Sequence, residues 1–179
     1  MKKIEDLINT YKDFPKKGVD FKDVLGILHE PEVFYELISK MCSSQILKKS
    51  EAIISIDARG FIFGSAVSMK SSKPMIVARK SGKLPGEIVK QNYNLEYGED
   101  SLCIQKSSLD KYKTFAIIDD LLATGGTVGC VASLLSKNEK QIKGFLTVVE
   151  LINLKGRNKL DFPVESYVKL WNWIWKKNI

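Results

Sequence analysis

The stretch Phe-Ala-Ile-Ile-Asp-Asp-Leu-Leu-Ala-Thr-Gly-Gly-Thr-Val-Gly, from Phe115 to Gly129, decides the fold of this chain of 179 residues. Residues 114–118 are β-branched, aromatic or small and apolar, which predicts a buried strand. We expect the strand to stop at two adjacent carboxylates, Asp119 and Asp120. Paired glycines between threonines then predict a tight loop, and residues 128–135 favour a helix. The predicted order is strand, loop and helix N-terminus.

This order predicts a phosphate site, because free amide groups and the helix dipole favour an anion at a helix start. The spacings of nucleotide-triphosphate and dinucleotide loops are both absent. Two carboxylates just before the loop can accept hydrogen bonds from the 2- and 3-hydroxyls of a ribose. The alternative is an ordinary turn in which the two aspartates cap the helix. It explains the acid pair and the Thr-Gly-Gly-Thr loop together far less well. The predicted ribose 5-phosphate site is Asp119, Asp120, Ala123, Thr124, Gly125, Gly126 and Thr127.

The stretch resembles the phosphoribosyl-pyrophosphate loop of type I phosphoribosyltransferases, and it is closest to the loop of members that act on adenine. The resemblance extends from residue 13 to about residue 160 and is carried by six further segments in the family's order. These segments are Asp13-Phe14-Pro15, Phe21-Lys22-Asp23, Asp57-Ala58-Arg59-Gly60-Phe61, Arg79-Lys80-Ser81-Gly82-Lys83-Leu84-Pro85-Gly86, Leu95-Glu96-Tyr97-Gly98 and Leu154-Lys155-Gly156-Arg157.

Basic residues follow two other predicted strands. Arg59 comes just after the first of these strands, and Arg79, Lys80 and Lys83 come after the next. A solvated basic loop is the alternative for the second group, but a reaction that releases pyrophosphate needs cations to hold the departing charge. The resemblance implies a pyrophosphate site formed by Asp57, Ala58, Arg59, Arg79, Lys80 and Lys83. The family usually has Ser where this chain has Ala58.

The N-terminal segment contains the predicted base site. On residue type alone, Phe21 is as suited to the core as to a ligand. The resemblance favours a base pocket formed by Val19, Phe21 and Lys22, in which the Phe21 ring stacks on the base. Asp20 and Lys22 stand where the family often has an apolar residue and Arg, so the identity of the base stays open at this point.

Residues 80–106 predict a mobile β-hairpin flap, because glycines and a proline precede two alternating runs around a turn. Glu96 and Tyr97 lie near its tip, where they could close onto bound substrate. An exposed hairpin pair is the alternative for these two residues. Catalytic roles are predicted for Glu96, Tyr97 and Arg59.

The resemblance implies the reaction of adenine with phosphoribosyl pyrophosphate to give AMP and pyrophosphate. It also implies Mg²⁺, carried mainly on substrate oxygens without a protein cage, and a homodimer. Two alternatives stay open. One is an enzyme acting on another purine base, and the other is a non-catalytic regulator that senses phosphoribosyl pyrophosphate and binds nucleic acid.

The expected fold is α/β, with a twisted, mostly parallel five-stranded sheet and helices on both faces. Strand starts are expected at Ala52, Met75, Thr114, Gly144 and Val164. One domain should span residues 1–179, with a small hood at 1–30 and the hairpin flap outside the sheet. An amphipathic helix is expected over residues 4–11, and a second from Pro31 to about Leu47.

The amino-acid composition indicates which partners and which cellular compartment to expect. Lys and Arg number 28 against 21 acidic residues, a formal charge of +7, yet the basic residues are scattered and form no nucleic-acid motif. Three widely spaced cysteines favour reduced thiols, and the N-terminus lacks the apolar run of a signal peptide. We therefore expect a cytoplasmic protein that binds neither nucleic acid nor membrane.

The tail at residues 171–179 holds all three tryptophans, Trp171, Trp173 and Trp175. A spacing of two places them on one face if the last strand continues. They could pack on the chain's own core, on a second subunit or on a membrane surface. We expect the tail to extend the core or the dimer contact and not to touch substrate.

Overall fold

The structure, a computed structural model, describes residues 2–94 and 99–171. Its strands are β1 (Asn9–Tyr11), β2 (Phe21–Asp23), β3 (Ala52–Ile56), β4 (Met75–Lys80), β5 (Ile88–Asn94), β6 (Glu99–Gln105), β7 (Thr114–Leu122), β8 (Gln141–Leu151) and β9 (Val164–Leu170). Its α-helices are α1 (Pro31–Ser43), α2 (Gln45–Lys48), α3 (Gly60–Ser71), α4 (Lys106–Leu109) and α5 (Gly126–Lys137). Short 3₁₀ turns lie at Ile4–Leu7, Leu25–His29, Ile152–Leu154 and Gly156–Lys159.

Five parallel strands form the centre of the fold in the order β4-β3-β7-β8-β9. The predicted starts at Ala52, Met75, Thr114 and Val164 are confirmed, and β8 begins at Gln141 instead of Gly144. In a parallel arrangement the carboxyl ends of these strands meet at one edge of the sheet, which is where open α/β sheets bind ligands.

The sheet has seven strands, so the prediction of a five-stranded sheet with the hairpin outside it is wrong in that detail. Strand β6 pairs antiparallel with β4, with Arg79 opposite Cys103 and Lys80 opposite Leu102, and β5 forms the edge. Leu102 and Ile104 are buried in the core on one side of the sheet. Burial of these side chains is the physical reason that the hairpin joins the sheet.

Helices cover both faces of the sheet, as predicted. Ile53 of β3 belongs to the apolar cluster that contains residues of α1 and α3, while its neighbour Ile54 belongs to the cluster that contains residues of α5. This alternation follows from the period of two in a strand. The helix expected to continue to Leu47 breaks at Ser44, because its hydroxyl accepts a hydrogen bond from the amide of Ile46 and begins α2.

The predicted N-terminal helix over residues 4–11 is absent. The chain forms a single 3₁₀ turn at Ile4–Leu7 and then β1, which pairs antiparallel with β2 in a separate two-stranded sheet. A helix of eight residues is marginal on its own, and this segment buries none of its apolar residues completely.

The tail prediction falls almost entirely outside the described residues. Trp171 is described and is 66% exposed, whereas Trp173 and Trp175 lie beyond the described range. Within residues 2–94 and 99–171, no helix has both the length and the apolar character that a membrane crossing needs.

Candidate functional site

The predicted ribose 5-phosphate residues come together at the carboxyl end of β7. This strand continues to Leu122, so Asp119 and Asp120 lie within it and do not end it as predicted. Leu121 and Leu122 keep their pairing with β8, which explains the longer strand. Gly125 follows in a left-handed conformation with φ of 81°, and α5 begins at Gly126. Glycine is therefore the residue type that adopts the backbone conformation at position 125 without strain.

The whole segment from Asp119 to Gly126 lines one cavity of about 440 Å³. All seven residues of the predicted ribose 5-phosphate site line it, together with Asp57, Ala58 and Arg59 of the predicted pyrophosphate site and Phe21 of the predicted base site. The cavity thus brings one part of each predicted subsite into a single space. Its size falls within the range of small-molecule sites.

Two of the three remaining pyrophosphate residues, Arg79 and Lys83, lie beside Asp57. The Nε atom of Arg79 lies 3.0 Å and the Nζ atom of Lys83 lies 3.6 Å from the same carboxylate oxygen, Oδ2 of Asp57. The Asp57–Ala58 peptide bond is cis. Lys80 is exposed at the end of β4 and does not line the cavity. Two cations are thus held next to the cavity by a carboxylate at its wall.

Arg59 connects the three subsites. Its Nε atom lies 2.8 Å from Oδ2 of Asp120, its guanidinium carbon lies 4.7 Å from the centre of the Phe21 ring, and its Nη1 donates to the carbonyl oxygen of Lys22 at 3.4 Å. The contact with Phe21 is a cation–π interaction. A second ring, Phe14, packs edge-on against Phe21 with centroids 5.2 Å apart. Arg59 therefore contacts both a ribose acid and the base-site ring.

The other two predicted base-site residues do not line the cavity. Val19 is 41% exposed, and Lys22 is 8% exposed with its Nζ atom donating to Oγ1 of Thr10 at 2.9 Å. The side chain of Lys22 therefore braces β1 against β2, and its backbone carbonyl is the group that reaches Arg59.

The acid pair is electrostatically unusual. Burial raises the pKa of Asp119 well above its usual value, and the neighbouring negative charge of Asp120 raises it further. Burial also raises the pKa of Asp120, although the charge of Arg59 opposes this shift. The Oδ1 atom of Asp119 accepts a hydrogen bond from the amide of Asp120 at 2.9 Å. Two close carboxylates in a shielded wall favour a ligand that supplies hydroxyl donors.

Three residues of the site's surroundings were not predicted. A methyl group on Gly60 would lie 2.7 Å from Oδ1 of Asp119, so this glycine lets α3 approach the acid pair. Gly156 contacts the phosphate loop in the same way. Both glycines lie in segments that resemble the family, which was a usable signal. The third residue is Glu150, which pairs with Leu122 at the end of β7. The mostly apolar sequence of β8 gave no signal that Glu150 has a role.

The predicted flap residues Glu96 and Tyr97 lie outside the described residues. Among the described residues, no group of three or more His, Cys, Asp or Glu side chains could hold a metal ion.

No protein-family model matches the chain. Known proteins match over most of its length. The chain is 67% identical over 166 residues to the adenine phosphoribosyltransferase of Prochlorococcus marinus (strain MIT 9515), covering 93% of this chain and 97% of that protein. A crystal structure of adenine phosphoribosyltransferase from Thermoanaerobacter pseudethanolicus matches with a TM-score of 0.87 and 37% identity, covering 93% of this chain and 98% of that one. The Saccharomyces cerevisiae enzyme, complexed with an imino-altritol bisphosphate and adenine, matches with a TM-score of 0.83 and 32% identity, covering 92% and 96%.

Proposed function

The chain belongs to the adenine phosphoribosyltransferase family, and from this premise we propose how its cavity performs the reaction. The protein converts adenine and 5-phosphoribosyl 1-pyrophosphate into AMP and pyrophosphate, a step of purine salvage. The relatives described above are named for adenine, so neither another purine base nor a non-catalytic regulator is favoured. The observation that carries the proposal is the shared cavity, which is lined by residues of all three subsites.

We assign the 5-phosphate to the loop between β7 and α5. The loop offers free amides at a helix N-terminus, which bind a phosphate dianion without a lysine. Asp119 and Asp120 lie at the other end of the loop, within the same cavity wall. They accept hydrogen bonds from the ribose hydroxyls, which holds the sugar in one orientation for attack at C1.

The pyrophosphate is assigned to Arg59, Arg79 and Lys83. In the reaction the bond from C1 to the pyrophosphate oxygen breaks, and both electrons leave with that oxygen. N9 of adenine forms the new bond to C1 and loses its proton. Cations close to the leaving group stabilise the charge that develops on it. Asp57 holds Arg79 and Lys83 beside the cavity before the anion arrives.

The adenine is assigned to the face of Phe21. A stacked base would place its ring centre about 4.5–7 Å from the Phe21 ring, and the guanidinium carbon of Arg59 stands there, 4.7 Å from the ring centre. Pyrophosphate draws Arg59 toward its own charge and away from Phe21 and Asp120. We infer that phosphoribosyl pyrophosphate opens the base position and that adenine binds second.

The flap supplies Glu96 and Tyr97 in this proposal. They close over the reacting atoms, exclude water that would hydrolyse the sugar, and place a carboxylate near the proton of N9 or the positive charge at C1. Mg²⁺ would be held by oxygens of phosphoribosyl pyrophosphate and not by a protein cage, since it prefers oxygen ligands and keeps several waters. Once bound, it would neutralise part of the pyrophosphate charge.

Two further assignments complete the proposal. The protein acts as a homodimer, which the family resemblance supports. It works in the cytoplasm, an assignment supported by the odd number and wide spacing of the three cysteines, which favour reduced thiols.

A base-panel assay tests the proposal. The purified chain is incubated with phosphoribosyl pyrophosphate, Mg²⁺ and one of adenine, hypoxanthine or guanine, and pyrophosphate release is followed. We expect release with adenine alone. Equal release with hypoxanthine or guanine would contradict the base assignment, and no release with any base would contradict the reaction.

A further inference from the structure

A second loop packs against the phosphate loop without lining the cavity. Gly156, at the start of the 3₁₀ turn Gly156–Lys159, lies directly against the backbone of residues 123–125. A methyl group on Gly156 would overlap the carbonyl oxygen of Ala123 and would lie 2.9 Å from the amide nitrogen of Gly125 and 3.0 Å from the carbonyl carbon of Thr124. The two backbones therefore touch with no side chain between them.

The next residue anchors this contact. Arg157 donates from Nε to Oε1 of Glu150 at 2.9 Å and from Nη2 to the other oxygen of the same carboxylate, which makes a bidentate pair. It also donates from Nη1 to the carbonyl oxygen of Val164 at 2.5 Å and from Nη2 to Oγ of Ser166 at 3.2 Å. The Ser166 hydroxyl donates in turn to Glu150 at 2.7 Å. Paired Arg–carboxylate geometry of this kind fixes direction as well as charge.

Glu150 ties this cluster to the strand that leads into the phosphate loop. It lies near the end of β8, where it is the direct partner of Leu122, the last residue of β7. The Glu150 side chain is 7% exposed and that of Arg157 is 37% exposed, so the carboxylate is shielded from water while the guanidinium is partly open to it. One cluster thus holds both the strand that enters the loop and the glycine that touches it.

We propose that Gly156 and Arg157 are positioning residues for the phosphate loop, with Gly156 setting the place of the loop backbone and Arg157 holding Gly156 there through Glu150 and Ser166. The inference rests on the proposed function, because it takes the loop to bind the 5-phosphate. Neither residue lines the cavity. Their effect passes through the amides of the loop, whose direction decides how well they meet the phosphate oxygens.

The test compares AMP with adenosine, two ligands that differ only in the 5-phosphate. The dissociation constant of adenosine divided by that of AMP, both measured by calorimetric titration, reports the phosphate contribution alone. Gly156→Ala adds one methyl group at the contact, and the φ of Gly156 is not left-handed, so alanine meets no backbone strain there. The control is Gly129→Ala in α5, where an added methyl group has no atom within 4 Å.

We expect Gly156→Ala to reduce the ratio by about tenfold or more, which corresponds to about 1.4 kcal/mol, with adenosine affinity unchanged. The KM for phosphoribosyl pyrophosphate should rise and the KM for adenine should stay the same. Gly129→Ala should leave the ratio as it is in the parent. An unchanged ratio in Gly156→Ala would overturn the proposal, as would an equal loss of both ligands, since that result would indicate general damage.

Arg157→Lys gives a second variant if Gly156→Ala does not fold. Lysine keeps the charge opposite Glu150 but loses the bidentate geometry and the bonds to Val164 and Ser166. We expect the ratio to fall in the same direction by a smaller factor, and a parent-like ratio in folded Arg157→Lys would overturn the role of Arg157. A failure of the proposed function would appear in the parent protein, which would then release no pyrophosphate with adenine.

Discussion

Gly125→Ala perturbs the phosphate loop at one backbone position, and the structure sets the size of the effect. The φ of Gly125 is 81°, and its added methyl group would lie 2.8 Å from the carbonyl oxygen of Gly156. A left-handed conformation costs a residue with a Cβ atom about 1–2 kcal/mol. Overpacking a tight contact costs about 1–3 kcal/mol. We therefore expect the free energy of unfolding to fall by about 2–5 kcal/mol.

Gly18→Ala is the matched control for the backbone term. Gly18 has a φ of 87°, and a methyl group on it would have no atom within 4 Å. Its expected loss is therefore only the conformational part, about 1–2 kcal/mol. Denaturant titration of the parent and both variants gives the three free energies. The difference between the two variants measures the contact with Gly156 alone.

The same variant should bind phosphoribosyl pyrophosphate more weakly. If the loop of Gly125→Ala relaxes away from Gly156, the ligand must restore it, and a contact term of about 1–3 kcal/mol corresponds to about 5–150-fold in affinity. Titration of the ligand into the folded variant measures this factor. The reasoning is refuted if Gly125→Ala is as stable as Gly18→Ala and binds phosphoribosyl pyrophosphate like the parent.

Three further predictions concern the acidic residues. Asp119→Asn should raise the melting temperature at pH 7 while weakening ribose 5-phosphate binding. Burial and the charge of Asp120 raise the pKa of Asp119 in the folded protein. The contribution of this group to protein stability is therefore fully present below its unfolded pKa and is lost as pH rises through its folded pKa. A lower melting temperature at pH 7 in calorimetry would contradict this. Glu150 behaves oppositely, because hydrogen bonds from Arg157 lower its pKa. The stabilisation that Glu150 contributes is present above its unfolded pKa and is lost as pH falls through its folded pKa. Between about pH 5 and pH 3 the melting temperature of the parent should therefore fall more steeply than that of Glu150→Gln. Parallel plots of melting temperature against pH would argue against the Glu150–Arg157 ion pair. Glu96→Gln should lower kcat by about 10²-fold if Glu96 transfers a proton, and an unchanged kcat would make Glu96 an exposed hairpin residue.

Local patterns predicted the parts of the fold whose information lies in a few consecutive residues. Four strand starts, among them Ala52 and Thr114, were correct because each begins an apolar run after a polar or turn-forming segment. The loop of paired glycines was also located correctly, since a positive φ at Gly125 needs that residue type. Such signals do not depend on which strands pair.

Other parts depend on contacts between distant segments, which periodicity does not report. The hairpin joined the sheet because Leu102 and Ile104 find a core to pack in. Glu150 lies hidden in an apolar strand, and its role comes from Arg157 and Ser166, which follow it in the chain. Ser44 broke the helix before Leu47 through one hydroxyl group.

The hood and the phosphate-binding half of the site lie on separate sheets, since β1 and β2 pair only with each other. Their described polar contact at the cavity runs from Arg59 to the backbone carbonyl of Lys22, a group that every amino acid possesses. An altered side chain in the hood can therefore change which base is accepted while leaving that bond in place. Val24 and Ile27 of the hood are fully buried in the same apolar cluster as residues of α1 and α3, so new base preferences on this phosphoribosyl platform are expected to come from single side-chain changes within the hood and not from its exchange as a unit.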